Sequence, residues 1–198
     1  MTRKTTTNIL IVGVGGQGIL LASEIIAAVC LASGHDVKQS EVHGMAQRGG
    51  SVTSHVRFGP KVYSPTIERG RADFLMSFEM LEALRWADYL EETGVAVVSR
   101  QRIGPITVTT GAETYPENVE DLIRERCGSA VFVDGLAMAE RAGNRRVVNS
   151  ALLGVLSRHM GFEEALWEAC IRNRVPPRSF EVNMKVFREG REVSGSGP

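Results

Sequence analysis

Residues 8–18 read Asn-Ile-Leu-Ile-Val-Gly-Val-Gly-Gly-Gln-Gly, and an apolar stretch from Ile19 to Cys30 follows at once. An apolar run of strand length that enters a glycine-rich turn and leaves as a helix commits the chain to α/β architecture. Gly13, Gly15 and Gly18 have the G-x-G-x-x-G spacing in the strand–turn–helix context that gives it physical meaning. Such a turn lets backbone approach a ligand closely and aims the free N–H groups of a helix N-terminus at an anion. A dinucleotide is the generic ligand, and the residues downstream argue against it.

Ile19, Ala22, Ile26 and Cys30 share one face of the first helix, whose only charge is Glu24. A helix this apolar needs cover on most sides, from the sheet, with a partner as one further source. Gly34 ends it. Residues 36–50 are polar and aperiodic, with Glu41, His43, Gln47 and Arg48 close together. A dinucleotide-binding domain would place here a second parallel strand, apolar and ending in an acidic residue, and Asp36-Val-Lys-Gln-Ser-Glu41 is a poor version of one. After Gly50 the period becomes two: Val52, Ser54, Val56 and Phe58 alternate with Thr53, His55 and Arg57. Gly59-Pro60 followed by Lys61-Val62-Tyr63 predicts a hairpin, an antiparallel element over 52–63 that is foreign to a pure Rossmann succession.

The α/β rhythm then resumes, with predicted strands at 72–77, 94–98 and 130–133 and predicted helices at 80–89 and from Pro116 to near Gly128. From Leu136 the chain reads as helical. Asn149 can cap a helix with the stripe Leu152, Val155, Leu156 and His159, closed by Gly161. Trp167, Cys170 and Ile171 mark the next helix, and Phe180, Met184 and Phe187 the last. The expected fold is a three-layer Rossmann-like α/β domain, with a mostly parallel sheet and one antiparallel hairpin. It forms a single unit over 1–198, with a core at about 8–187 and a Gly/Ser-rich tail, 191–198, expected to fray.

With 198 residues the chain can bury a sizeable core, and 43% hydrophobic with 23% charged residues is a globular balance. Formal net charge is zero, which gives no footprint for nucleic acid. Met1–Thr7 lacks the apolar segment of a secretory signal, and no run has the length of a membrane span, so a cytoplasmic location is expected. The cysteines, Cys30, Cys127 and Cys170, are odd in number and far apart. With no C-x-x-C pair they cannot ligate a four-thiolate iron–sulfur cluster, and Cys30 and Cys170 read as buried, inert thiols.

Two constellations are candidates for ligand contact. The first is the turn itself, Gly13, Gly15, Gly16, Gln17 and Gly18. The Gln17 amide can donate to a ligand, brace a neighbouring loop, or serve only as a polar first-turn residue. The second is Arg48 with Gly49 and Gly50, where two glycines let the backbone turn while a guanidinium grips a phosphate or carboxylate. The alternative is a structural loop whose Arg48 pairs with Glu41. His43 and His55 lack partners at metal-ligand spacing, and no residues form a nucleophilic or acid–base motif, so catalytic residues and metal ligands are not assigned. Alone, the chain reads as a binding subunit without self-contained chemistry.

Taken together, Gly13-Val-Gly-Gly-Gln-Gly18, His43-Gly-Met-Ala-Gln-Arg-Gly-Gly50, Ala72-Asp73-Phe-Leu and Asn149-Ser-Ala-Leu-Leu-Gly154 occur in an order that resembles the gamma-type subunit of 2-oxoacid:ferredoxin oxidoreductases. The Gly-Met-Ala-Gln-Arg-Gly-Gly spelling is similar to the small (beta) subunit of the indolepyruvate branch. The resemblance spans residues 8–187. It implies a share in the oxidative decarboxylation of a 2-oxo acid, an arylpyruvate by branch, to an acyl-coenzyme A with reduction of ferredoxin. It further implies that a large partner subunit holds thiamine diphosphate and the iron–sulfur clusters, and that this chain contributes to coenzyme A binding through its two glycine loops. The competing reading is a stand-alone NAD(P)-dependent Rossmann dehydrogenase, which the weak second strand and the hairpin disfavour. A third is a nucleotide-sensing or assembly module with no redox role.

Overall fold

The computed structural model describes residues 5–43, 50–104, 108, 111 and 114–193, with only the backbone of His43. In chain order the elements are β1 (Thr7–Val14), α1 (Ile19–Ala32), β2 (Asp36–His43), β3 (Ser51–Gly59), β4 (Ala72–Ser77), α2 (Met80–Trp86) and β5 (Leu90–Ser99). They continue with α3 (Val119–Cys127), β6 (Ser129–Val133), α4 (Gly135–Arg141), α5 (Val148–Met160), α6 (Glu164–Arg174) and α7 (Phe180–Arg191). Short 3₁₀ turns precede β5 (Ala87–Tyr89), α5 (Arg145–Val147) and α7 (Pro177–Ser179).

The six strands lie in the order β2-β3-β1-β4-β5-β6. β1, β4, β5 and β6 pair in parallel, whereas β3 is antiparallel to both β1 and β2. Alternate residues of the central strands face opposite layers, as the period of two requires. Ile9 and Ile11 of β1 join Val97 of β5 and Val131 of β6 in a core covered by α1, α5, α6 and α7. Leu10, Val12, Ala96, Val98 and Phe132 point the other way, into a smaller core with Ala83 of α2 and Ile123 of α3. Both faces of the parallel strands are therefore dry, which is why these segments read as continuous apolar runs. α1 buries Ile19, Ala22, Ile26 and Cys30 as its stripe predicts, with Ile25 and Val29 besides, but leaves Leu20 and Leu31 more than half exposed.

The antiparallel element is present, with a different partner from the one expected. Val52–Phe58 lies within β3, but β3 forms its hairpin with β2: Asp36 stands opposite Gly59, and His43 opposite Val52. Lys61–Tyr63 is not a strand. It meets this region through the Val62 N–H, which donates to the Asp36 carboxylate at 2.9 Å, and through Lys61, whose Nζ lies 3.6 Å from the same carboxylate. β2 escaped the sequence reading because it is an edge strand whose layer contacts are partly polar, such as Gln39 Nε2 donating to Ser23 Oγ of α1 at 2.8 Å. An edge strand need not carry the apolar alternation that reveals a strand.

α5 and α7 cross at Gly154 and Gly190. A Cβ on Gly154 would collide with the Phe187 carbonyl, and one on Gly190 with the Ala151 carbonyl. Glycine is the residue that lets two helix backbones come this close. Cys30, Cys127 and Cys170 are free and buried, and burial raises all three thiols, Cys127 to about 11. They sit on α1, α3 and α6 as inert side chains. Residues 194–198, most of the tail expected to fray, lie outside the described residues. No helix of the described residues is long and apolar enough to cross a membrane.

Candidate functional site

The carboxyl ends of β1, β4, β5 and β6 open on one edge of the sheet, where an α/β fold places its ligand crevice. The glycine turn leaves β1 there. Gly13 is required by packing: a Cβ on it would lie 2.8 Å from both Gln17 Oε1 and Phe78 Cβ. Gly16 and Gly18 are required by conformation, with φ of 103° and 87°. Gly18 is the N-cap of α1, and it has no side chain to cap with. The first intrahelical bond of α1 runs from Ala22 N–H to the Gly18 carbonyl at 3.1 Å. The N–H groups of Ile19, Leu20 and Leu21 precede it and have no intrahelical acceptor. No acidic side chain occupies this first turn.

Gln17 braces the turn from inside. Its Oε1 accepts from Val14 N–H at 2.7 Å, while its Nε2 donates to the Phe78 carbonyl at 2.9 Å and to Gln101 Oε1 at 3.0 Å. One amide thus ties the ends of β1, β4 and β5 together, and both of its donor hydrogens are used within the protein. Of the readings open in the sequence, the structure realises the brace.

Next to this brace, Glu79 is 1% exposed and caps α2, accepting from Glu82 N–H at 2.9 Å. Its other oxygen accepts from Tyr115 Oη at 2.6 Å and from Ile103 N–H at 3.0 Å. Burial, and then the Glu79 carboxylate, hold the Tyr115 phenol well above its ordinary range. The Glu82 carboxylate, 6% exposed, accepts from Ser51 Oγ at the start of β3. Gly15 N–H donates to the Gly50 carbonyl at 2.9 Å, so Gly50 adjoins the turn. Arg48 and Gly49, the remainder of the second constellation, lie outside the described residues.

The opposite wall comes from the segment 145–149, whose Asn149 the sequence offers as a helix cap and as the start of the Asn149–Gly154 motif. Asn149 is not that cap. Val147 holds the N-cap position of α5 without a side-chain bond, and Asn144 caps the preceding 3₁₀ turn by accepting from Arg146 N–H at 3.1 Å. Asn149, 3% exposed, lies one position further in, with Oδ1 accepting from Ser150 N–H at 3.0 Å. Its Nδ2 has no hydrogen-bond partner among the described residues, and it would be 3.6 Å from a Cβ on Gly18. Between the two walls runs a cleft of about 570 Å³, lined by Gly15, Gly16 and Gly18, by Gln101 and Ile103, and by Arg145, Arg146 and Asn149. On the other side of the turn a more apolar cleft of about 610 Å³ is bounded by Leu20, Leu21, Glu24, Glu41 and Val52. No sequence motif announced Arg145, Arg146 or Gln101; topology alone brings them to the turn.

The remaining candidates lie elsewhere. His55 on β3 is buried with Nδ1 accepting from Ile67 N–H at 3.1 Å, and burial lowers its basicity. His43 contributes its backbone to the β2–β3 ladder. Among the described residues no group of three or more His, Cys, Asp or Glu is placed to hold a metal.

Comparison with known proteins gives this geometry a family. Residues 8–193 match the family described as pyruvate ferredoxin/flavodoxin oxidoreductase. The indolepyruvate oxidoreductase subunit IorB of Thermococcus kodakarensis is 41% identical over 189 residues, covering 92% of this chain and 93% of that protein. IorB of Archaeoglobus fulgidus is 37% identical over 196 residues, covering 96% of each. Among solved structures, the keto/oxoacid ferredoxin oxidoreductase gamma subunit of Geobacter sulfurreducens superposes with a TM-score of 0.69 at 24% identity, over 94% of this chain and 96% of that one. A 2-oxoglutarate:ferredoxin oxidoreductase chain of Magnetococcus marinus, solved with 2-oxoglutarate, coenzyme A and succinyl-CoA bound, has a TM-score of 0.75 at 19% identity. It spans 99% of this chain, which covers 33% of that one. The dehydrogenase reading gains nothing from these comparisons, and β3 stands antiparallel beside β1 where a dinucleotide fold would place a parallel neighbour. The chain belongs to the pyruvate ferredoxin/flavodoxin oxidoreductase family, as the small subunit of a 2-oxoacid:ferredoxin oxidoreductase.

Proposed function

We propose that this subunit contributes the coenzyme A site of an oxidoreductase that decarboxylates an arylpyruvate, indolepyruvate being the type, and passes the electrons to ferredoxin. The observation that carries the reading is the uncapped amino end of α1 at Gly18, open to a cleft and held rigid by Gln17. An array of unpaired N–H groups at a helix N-terminus suits the phosphates of a coenzyme. Gly15, Gly16 and Gly18 would lie against the ligand. Gly13 and Gln17 would act through the shape of the turn, and Arg48 with Gly49 and Gly50 would close the site from the β2–β3 loop.

The rest of the chemistry belongs to a large partner subunit, which would hold thiamine diphosphate and the iron–sulfur clusters and would meet ferredoxin. Three buried thiols on three different helices are not a donor set for a cluster in this chain. Thiamine diphosphate supplies the decarboxylation and the clusters the electron path; this subunit binds and orients the acyl acceptor. A cytoplasmic location goes with that assignment.

Calorimetric titration of coenzyme A and of NADH into the reconstituted two-subunit enzyme tests the reading. Saturable coenzyme A binding that weakens in a folded, assembled Gly15→Val variant is expected, with no binding of NADH. Unchanged coenzyme A affinity in that variant, or tight NADH binding, would overturn it.

A further inference from the structure

We propose that the cleft between the glycine turn and the 145–149 segment is a diphosphate subsite, in which Asn149 Nδ2 and Arg146 complete the anion site begun by the amino end of α1. The natural ligand named for it rests on the coenzyme A reading above; the anion chemistry does not.

The central observation is Asn149. An amide on a residue this enclosed normally finds protein partners for both of its polar atoms. Here Oδ1 is fixed as the acceptor by the Ser150 N–H, which sets the orientation of the amide and leaves Nδ2 facing the Gly18 end of the turn. Nδ2 has no protein partner among the described residues, although the residue as a whole is only 3% exposed; the atom itself meets the cleft. It therefore adds a donor beside the Ile19, Leu20 and Leu21 amides of α1, which are unpaired among the described residues.

The second observation is the electrostatic setting. The 3₁₀ turn Arg145–Val147 runs straight into α5, so Asn149 stands near the amino end of one helical run while α1 presents its own amino end across the cleft. Neither α1 nor α5 carries an acidic residue in its first turn. Arg145 is paired with Glu140 at 3.1 Å, but Arg146 has no ion-pair partner among the described residues and lines the cleft. Two helix dipoles, an unpaired amide and an unpaired guanidinium on one small volume call for more than a single negative charge. A diphosphate can reach both helix ends at once. Leu136, Val148 and Ile103 supply apolar surface along the same cleft for the organic part of such a ligand.

The test uses inorganic pyrophosphate, titrated calorimetrically into the full chain at low ionic strength, beside coenzyme A titrated into the reconstituted enzyme. Wild-type protein should bind pyrophosphate. Asn149→Asp keeps the size of the side chain and its acceptor for Ser150 while adding a repelling charge, and should weaken binding by about tenfold or more. Arg146→Ala should weaken it by about threefold to tenfold and reduce its sensitivity to salt. Arg146 is exposed, so its variant decides the matter should Asn149→Asp fail to fold. Absence of pyrophosphate binding by the wild type, or wild-type affinity in the folded variants, overturns the proposal. If coenzyme A binds and both variants bind it as the wild type does, the subsite fails and the coenzyme reading stands. If pyrophosphate behaves as expected while coenzyme A does not bind, the subsite stands and the coenzyme reading fails.

Discussion

On the α2 side of the cleft, Gln17 makes three hydrogen bonds and Glu79 accepts three more, so both side chains are consumed in holding the protein to itself. On the α5 side, among the described residues, Asn149 keeps a donor free and Arg146 keeps a charge free. Both walls are polar, and both are made of side chains that sequence inspection would rate equally as ligand contacts. Pairing separates them. A buried polar group whose bonds are complete contributes to stability and positions the site; one left incomplete at the surface of the cleft is open to what binds there. The turn divides in the same way, since Gly13 and Gln17 serve its packing while Gly16 and Gly18 serve its open face.

The largest test of the paired wall is Glu79→Ala. It removes the acceptor for Tyr115 Oη, Ile103 N–H and Glu82 N–H together and uncaps α2. Stranding buried donors costs about 1–3 kcal/mol each, with partial relaxation expected, so urea denaturation should show a loss of about 4 kcal/mol. A loss under about 1 kcal/mol would mean that this wall is not held as described. Gln17→Ala should cost less, about 2–3 kcal/mol, because the brace is a neutral amide. Its signature is a lowered unfolding midpoint, with pyrophosphate affinity reduced only in so far as the turn loosens.

The strands of the parallel sheet and the apolar helices were legible in the sequence because burial on both faces leaves an apolar record, as in Ile9–Val12 or Val95–Val98. β2 was not, since an edge strand with Asp36, Lys38, Gln39 and Glu41 lacks that record, and the hairpin was matched to the nearer segment 61–63 instead. Within the site, the glycines announced themselves because backbone conformation restricts the residue type. Asn149 could not be read in the same way. An asparagine at the start of a helix looks the same whether it is the N-cap or lies one position inside, and only the fold shows which amide hydrogens stay unpaired. Glu79 was missed for a related reason: its partners at 103 and 115 come from a connection that no local spacing links to it.

The contrast between complete and incomplete pairing extends to His55, far from the cleft on β3. Its Nδ1 accepts from Ile67 N–H, so the neutral ring is the paired form, and burial holds its pKa below the ordinary 6.5. A base whose pKa is lowered by folding binds fewer protons folded than unfolded. Stability is therefore complete above about pH 6.5 and is lost as pH falls through that value towards the folded pKa. Denaturation series between pH 7.5 and 5 should show this decline, and His55→Asn should flatten it, by about the share that one group carries. His159, also lowered by burial, adds in the same direction and stays in the variant as a residual slope. An unchanged slope in His55→Asn would mean that the acid sensitivity comes from other groups.

The smallest expected effect is also the finest test of the comparison, because it sets two adjacent arginines against each other. Arg145 and Arg146 both line the cleft and both are exposed, yet Arg145 pairs with Glu140 while Arg146 pairs with nothing among the described residues. An exposed ion pair contributes about 0–1 kcal/mol, so Arg145→Ala should move the thermal midpoint little, and Arg146→Ala should not move it at all. Binding should separate them in the reverse order. Glu140 already neutralises much of the Arg145 charge, so Arg145→Ala should weaken pyrophosphate by less than about twofold, against a larger loss for Arg146→Ala. Glu140→Gln supplies the control: freeing Arg145 from its partner should strengthen binding slightly, through charge alone. Equal losses for the two arginine variants would show that proximity to the cleft matters and pairing does not, and the distinction drawn between the walls would fail at its most exposed point.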